Sequence, residues 1–393
     1  MFGRQITLFR LFGFRVGVDW SWLILAILIT WTLAVGFFPT FVPDLGQTTY
    51  WAMAIVGALG LFFSIIFHEL SHSLVSRRYD MPIRGITLFV FGGVAEMEAE
   101  PTSPKAEFRM AIAGPIASFI LASAFFLVGA GGERLGWPAA VLGVFTYLFW
   151  INGVLAIFNL VPAFPLDGGR MLRALLWGWK RDFRWATRIA SGTGSFFGLV
   201  LMVLGIVAFV SGNFVGGLWW FLLGLFVRFA ANASYQQVVV RQSLAGIPVA
   251  TVMKSDPVTV LPSLTIAELV EEYFYRHYYK MFPVVEGGRL LGSIGLREVK
   301  GIDRAAWGMT RVGDILSPLS KATAVPPEMD AIAALAHMNE TGNGRLCVAE
   351  GDRLLGLVTR KDMLEFLSLR LDLGGDDAPR FPSVFFGGRG RNG

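Results

Sequence analysis

Six runs of apolar residues, near 19–38, 50–75, 109–130, 139–161, 190–211 and 214–232, decide what this chain can become. At about 1.5 Å rise per residue in a helix, each is long enough to cross a hydrocarbon core of about 30 Å. Composition agrees: with 54% hydrophobic residues, 16% charged and a mean hydropathy of +0.56, the chain is too apolar for an ordinary soluble enzyme. The pattern changes near Ala233 to Gly246, and from 246 to about 370 it reads as a soluble α/β domain. The expected architecture is a polytopic α-helical membrane protein, with about six transmembrane helices in a domain over 1–235, followed by an α/β domain over 246–370. The Gly, Pro and Arg rich tail at 374–393 is expected to be disordered. The first apolar run is too long for a cleavable secretory signal and lacks a small-residue cleavage site, so it should stay as a helix. The single cysteine, Cys347, excludes an internal disulfide and fits a reduced compartment.

The charges orient the spans. Arg4, Arg10 and Arg15 precede the first, Arg77, Arg78, Arg84, Lys105 and Arg109 follow the second, and Arg170, Arg173, Lys180, Arg181, Arg184 and Arg188 follow the fourth. The alternate loops offer only Arg134. By the positive-inside rule both termini, and with them the α/β domain, are cytoplasmic in a multi-pass protein of the cell membrane. The net charge of +5 therefore sits in membrane-flanking loops, where orientation and contact with the lipid bilayer account for it. It makes no case for a nucleic-acid partner.

The second run ends in "SIIFHELSHSLVSRRY", Ser64 to Tyr79. His68 and His72 are four apart, so on a helix they project from one face and can share one metal ion. Glu69 points about 100° away, which suits a general base acting on water better than a third ligand. The chain has four histidines, and two of them form this pair inside an apolar span, where polar groups cost several kcal/mol unless they are used.

Two imidazoles do not complete a hydrolytic zinc site, which usually has three protein ligands and one open position. The intramembrane candidate for the third lies in "FNLVPAFPLDGGR", Phe158 to Arg170, where Asp167 follows the end of the fourth span. The second and fourth spans run in the same direction, so both sites fall at the same membrane depth. Pro162 and Pro165 interrupt the helix, and Gly168 and Gly169 allow a tight turn that could aim Asp167 inward. On spacing alone, Asp167 reads equally well as the cap of a helix beginning near Gly169.

"HELSH" on one membrane helix and "NLVPAFPLDGG" on another resemble the paired signatures of the site-2 protease family of intramembrane zinc metalloproteases, over residues from about 10 to 235. The resemblance implies one zinc ion per chain, ligated by His68, His72 and Asp167, with Glu69 as the catalytic base. It also implies that Asn159 lies near the scissile carbonyl and that Pro165 belongs to the substrate-binding motif. Physics alone reads Asn159 equally as an interhelical hydrogen bond and Pro165 as a helix break. "GITLFVFGGVAEME", Gly85 to Glu98, resembles the family's membrane-associated β-segment near the substrate, and "AGPIASF", Ala113 to Phe119, its AGP helix start. An ordinary hairpin and a close-packing stretch are the plain alternatives. The loops are too short for a PDZ-like insertion.

The α/β domain contains a repeat: "PVTVLPSLTIAELV…MFPVVEGGRLLGSIGLREV" is echoed by "KATAVPPEMDAIAALAHM…RLCVAEGDRLLGLVTRKDM". Each copy reads strand, helix, strand, tight turn, strand, helix. This resembles a tandem pair of CBS domains, about 246–305 and 309–370, which implies binding of an adenine nucleotide or pairing into a homodimer. "GLVTRKD" carries the family's ribose-contacting pattern in Gly356, Thr359 and Asp362, whereas the first copy departs from it with Gly295 and Glu298. His277 and His337 fall in helices of this module and read as surface or packing residues.

The function these features imply is hydrolysis of peptide bonds within or near transmembrane segments of membrane-protein substrates, under possible control by nucleotide at the CBS pair. The resemblance suggests anti-sigma factors or signal-peptide remnants as substrates. A CBS-regulated metal-ion transporter or channel is the alternative, with the histidines and Asp167 lining a path. The six spans show no repeat with matching broken helices, and a transporter has no use for Glu69 beside its ligands.

Overall fold

The computed structural model describes residues 6–81, 83–89, 92–97, 100–320 and 322–373. The tail expected to be disordered lies outside the described residues, as do Val90, Phe91 and Glu98 of the expected β-segment. The chain divides into two compact units, Met1–Tyr235 and Gln236–Gly393.

Among the described residues of the first unit and its continuation, six helices are long and apolar enough to cross a membrane. They are α1 (Trp20–Phe41), α2 (Gln47–Arg77), α3 (Pro104–Arg134), α4 (Ala139–Asn159), α6 (Phe183–Val210) and α7 (Phe214–Leu244), with the shorter α5 (Asp167–Lys180) between the fourth and fifth. All six expected spans are present, most of them longer than their apolar runs, and in two a polar cap sets the start. Ser103 caps α3 by accepting the Ala106 N–H, and Asp182 caps α6 by accepting the Trp185 N–H. Helix α2 packs against α1, α3 and α4, so it is the helix most enclosed by protein. Outward-facing Ile24, Ile27, Leu127, Ile157 and Phe196 are each more than half exposed, which is what a lipid-facing surface requires.

A four-stranded sheet, in the order β1 (Ile6–Leu11), β2 (Phe14–Val18), β3 (Ile83–Phe89) and β4 (Gly92–Met97), flanks the helices in sequence. Strands β2 and β3 are parallel and the other pairs antiparallel. The hairpin expected over Gly85 to Glu98 is β3–β4, but Gly92 and Gly93 stand inside β4, opposite Phe89 and Leu88, rather than in the turn.

The second unit holds the two repeats in one sheet. Its order is β5 (Met281–Glu286), β6 (Arg289–Gly295), β10 (Arg353–Thr359), β9 (Arg345–Glu350) and β8 (Ala324–Val325), with β7 (Ser317–Pro318) paired to β6. Helices α8 (Ala331–Thr341) and α9 (Arg360–Leu373) belong to the second copy. The two apolar cores are interleaved along the chain. Leu244, just before the first copy, and Val249 and Val252, at its start, are buried with Leu346, Val348 and Val358 of the second, while Val312, at the start of the second, is buried with Val260, Phe282 and Ile294 of the first.

Candidate functional site

His68 and His72 lie about two turns and one turn from the C-terminal end of α2, on its buried face, 3% and 7% exposed. Their ring centroids are 4.9 Å apart. Asp167 reaches them from another element: its Oδ2 lies 3.0 Å from His68 Nε2 and 3.1 Å from His72 Nε2. It does so from the first residue of α5, which begins one residue earlier than a helix capped by Asp167 would. The N-cap position falls to Leu166, which has no side-chain acceptor, and the Asp167 carboxylate is left for the histidines while still favoured by the helix dipole. Gly168 and Gly169 let this turn close, because a Cβ on either would overlap backbone atoms of Leu160 and Val161, or of Ala163 and Phe164.

The far side of each ring is tied down. His72 Nδ1 lies 2.7 Å from the Met110 carbonyl oxygen and His68 Nδ1 lies 2.9 Å from Ser118 Oγ, both on α3. A carbonyl only accepts, so His72 Nδ1 carries the proton and, in the neutral ring, Nε2 is a bare lone pair. That lone pair faces a carboxylate oxygen at hydrogen-bond distance, and a second imidazole nitrogen points at the same oxygen. Such an arrangement of acceptors calls for a cation between them. The two imidazole nitrogens and the carboxylate oxygen form a buried group that could hold one metal ion. The space is kept open by α3: a Cβ on Gly114 would collide with both Nε2 atoms. Two imidazoles and a carboxylate are also the donor set of hydrolytic zinc.

Glu69 is half-buried beside His72, and its carboxylate has no hydrogen-bond or ion-pair partner among the described residues. Asn159 is the last residue of α4, and its Nδ2 donates to Leu155 O at 3.0 Å, one turn back along its own helix rather than across to another. Pro165 is half-buried in the turn between α4 and α5 and follows Phe164 through a cis peptide bond.

The segment that carries Asp167 is fastened by an ion pair that the sequence does not announce. Arg173 of α5 donates from Nε, at 2.7 Å, and from a terminal nitrogen to Glu107 Oε1 on α3. Arg173 is 7% exposed and Glu107 is fully buried. The guanidinium is held between the rings of Phe164 and Phe183, 4.7 and 4.8 Å from their centroids. Helix α3 therefore supplies Met110, Gly114 and Ser118 to the histidines and Glu107 to the helix of Asp167. Spacing gives no signal for any of them. Only Gly114 and Ser118 fall in a stretch singled out in the sequence.

In the second unit, Asp362 is 7% exposed and its Oδ2 accepts the Thr359 N–H at 3.0 Å and hydroxyl at 2.6 Å. The Asp362 N–H donates back to Thr359 Oγ1 at 3.1 Å, so the pair caps α9. The Lys254 ammonium lies 3.1 Å from Asp362 Oδ1, and this hydrogen bond holds the lysine above its usual range. In the first copy Glu298 caps its own helix by accepting the Gly295 N–H at 3.0 Å. Neither His277 nor His337 joins a cluster of potential metal ligands among the described residues.

The sequence model of Peptidase family M50 matches residues 56–134 and 136–205, and that of the CBS domain matches 249–302 and 312–369. Over 366 residues the chain is 34% identical to Rip3 of Mycobacterium tuberculosis (strain H37Rv), named as a zinc metalloprotease, covering 93% of each chain. It is 30% identical over 371 residues to the zinc metalloprotease MJ0392 of Methanocaldococcus jannaschii, covering 93% of this chain and 96% of that one. Among solved structures, the site-2 protease from Methanocaldococcus jannaschii is 30% identical and is matched over 58% of this chain and 94% of that one, with a TM-score of 0.39. The likeness to two zinc metalloproteases along nearly their whole length, joined to the two family matches, makes this chain a multi-pass membrane metalloendopeptidase of the site-2 protease family, peptidase family M50, with a tandem pair of CBS domains.

Proposed function

We propose that the chain hydrolyses peptide bonds within or near transmembrane segments of membrane-protein substrates, with His68, His72 and Asp167 as the ligands of one zinc ion and Glu69 as the general base. The observation that carries this reading is the convergence of two imidazole nitrogens on one carboxylate oxygen, at 3.0 and 3.1 Å, inside a membrane-grade helix bundle. Zinc bound there would lower the pKa of its water toward about 7 and polarise a substrate carbonyl. The chain's own residues do the rest. Met110 O and Ser118 Oγ fix the ring orientations through Nδ1, and the Met110 carbonyl, which can only accept, leaves His72 Nε2 as a lone pair. The Glu69 carboxylate, which has no partner of its own among the described residues, takes the proton of the attacking water and returns it to the departing amine. Asn159, at the end of α4, offers its free carboxamide oxygen to the substrate backbone, and Pro165 shapes the turn that frames it. The substrate segment must unwind locally, because its helical hydrogen bonds otherwise protect the peptide bond.

By the distribution of basic loops, both termini are cytoplasmic and the metal site lies at the cytoplasmic depth of the bilayer. The domain over 1–235 is the protease and the repeats over 246–370 are its regulatory part. Thr359 and Asp362 of the second copy present a hydroxyl and a carboxylate to the ribose of one adenine nucleotide per chain, and the repeats also offer a surface for pairing into a homodimer.

The test is zinc content together with cleavage of a reporter transmembrane substrate by the purified protein. Glu69→Gln should keep the metal and lose cleavage, whereas His68→Ala and Asp167→Ala should lose both, since affinity follows ligand count. Full cleavage by Glu69→Gln would overturn the assignment.

A further inference from the structure

Four residues of α3 that serve the site stand in one stripe. Glu107, Met110, Gly114 and Ser118 are spaced by three and then four residues, which a helix of about 3.6 residues per turn brings to a single face. Met110 O and Ser118 Oγ hold the His72 and His68 rings, and Gly114 keeps the space beside them clear. These contacts reach α2, whereas Asp167 stands on α5. Glu107 reaches α5 instead, through Arg173.

The Arg173 side chain ties down both flanks of Asp167. Asp167 opens α5 and Arg173 follows it by six residues, about 9 Å along the axis at about 1.5 Å per residue. On the C-terminal flank the guanidinium gives Glu107 Oε1 two N–H donors from one rigid plane, which restrains α5 in both rise and rotation on α3. On the N-terminal flank the same guanidinium lies 4.7 Å from the ring centroid of Phe164, three residues before Asp167. Phe164 is buried, and its N–H donates to Ala190 O of α6 at 3.3 Å. Gly194, one turn further along α6, lies so close to the Phe164 carbonyl that a Cβ there would overlap it. The turn that delivers Asp167 therefore runs between two anchors, and Arg173 belongs to both.

We propose that Arg173, held by Glu107, is a positioning residue of the metal centre: it sets where Asp167 stands relative to His68 and His72, and it is kept as an ion pair for that geometry rather than for stability. The proposal rests on the reading of these three residues as zinc ligands given above. Desolvating two charges costs about as much as their attraction returns, so a buried pair is a poor source of stability. What it supplies is direction. Arg173 donates from a planar group and stacks on two rings, so a shift of α5 breaks its bonds instead of sliding along them. Metal ligands need that restraint, because their distances must hold to about 0.2 Å. A carboxylate that opens a short helix after the turn at 160–166 has no such precision of its own. The histidines differ, since α2 and the α3 contacts place them without α5. Loss of the Arg173 bonds therefore loosens Asp167 and leaves a two-histidine site.

The test replaces both charges with apolar chains, Glu107→Met together with Arg173→Met, in the full-length protein. Two thioether chains fill the volume and strand no charge, so the fold survives, but they carry no directed bond to place Asp167. Zinc affinity, read by competition with a chromophoric chelator on detergent-purified protein, should fall at least about tenfold, while the thermal midpoint of the metal-free protein stays near wild type. In an Asp167→Ala background the same two substitutions should cost no further zinc affinity, since the ligand they serve is already gone. Arg173→Lys, which keeps the charge but not the planar group, should also lower zinc affinity, by at least about threefold. Wild-type zinc affinity in Arg173→Lys, a loss under about threefold in the double variant, or a further loss of equal size in the Asp167→Ala background overturns the proposal while the zinc reading stands. Collapse of the double variant's thermal midpoint makes the pair a stability element and overturns it too. Wild-type zinc affinity in Asp167→Ala overturns both the proposal and the zinc reading.

Discussion

Gly114→Ala is the smallest change that tests the metal centre without touching a ligand. The added Cβ would stand 2.5 Å from His68 Nε2 and closer to His72 Nε2. A non-bonded carbon needs about 3.5 Å, so each ring must retreat by about 1 Å. Neither ring can do so freely, since His72 Nδ1 is held at 2.7 Å by Met110 O and His68 Nδ1 at 2.9 Å by Ser118 Oγ. Metal–ligand distances tolerate about 0.2 Å, so the displacement takes two of the three proposed ligands out of range. Zinc affinity should fall at least about 100-fold, or about 2.8 kcal/mol at about 1.4 kcal/mol per tenfold, at the upper end of what supporting residues cost. The fold should suffer far less. Alanine favours a helix interior over glycine by about 0.5–1 kcal/mol, which offsets part of an overpacking cost of about 1–3 kcal/mol. Competition with a chromophoric chelator on detergent-purified protein measures the affinity, and thermal unfolding of the metal-free protein measures the fold. An affinity within threefold of wild type would refute the reasoning, because the rings would then have room that the structure denies them.

Glu107→Ala strands the Arg173 guanidinium in a buried position and should destabilise the protein by about 3–5 kcal/mol, whereas the double variant Glu107→Met with Arg173→Met should recover most of the loss; equal unfolding midpoints for the single and double variants would refute this. Cysteine probes near Gln47 should label from outside the cell, and probes near Lys105 or Asp182 only after permeabilisation; labelling of Asp182 from outside would break the proposed orientation. The native Cys347 should add no background to that scan, since it is 1% exposed and burial pushes its thiol up to about 12. The same shift has a sign: a thiol raised on folding contributes stability that is fully present below its unfolded pKa of about 9 and lost as pH rises through about 12. Cys347→Ala should therefore lose stability less steeply than wild type between those limits in denaturant titrations, and parallel curves would count against it.

What the sequence discloses depends on how rare polar groups are around the feature in question. His68 and His72 are legible because the helical period alone puts residues four apart on one face, and the apolar run guarantees a helix. The six spans are legible for the same reason, although their ends are not. Ser103 and Asp182 extend α3 and α6 beyond the apolar runs, since a cap costs hydropathy nothing. Asp167 is ambiguous in sequence because a carboxylate before Gly-Gly suits a helix cap and a ligand equally. In the structure α5 starts at Asp167 itself and Leu166 occupies the cap position, so the carboxylate is left to face the two histidines. Asn159 shows the opposite limit: an amide at a helix end has a backbone carbonyl one turn away, and local bonding takes precedence over a partner on another helix.

The supporting residues are hidden for a different reason. Gly114 matters through an atom it lacks, and Met110 through its backbone carbonyl, neither of which leaves a mark in composition or periodicity. Glu107 and Arg173 are separated by 66 positions and lie near span ends, where charge is already expected from the basic loops. In the second unit the background reverses. Lys254 is one cation in a module where charged side chains are ordinary, and only the strand register brings it to the face of Thr359. A polar residue in the membrane half is informative because hydrocarbon makes it costly, whereas one in the CBS half becomes informative when the structure shows which counter-charge it holds, as it does for Lys254 and Asp362.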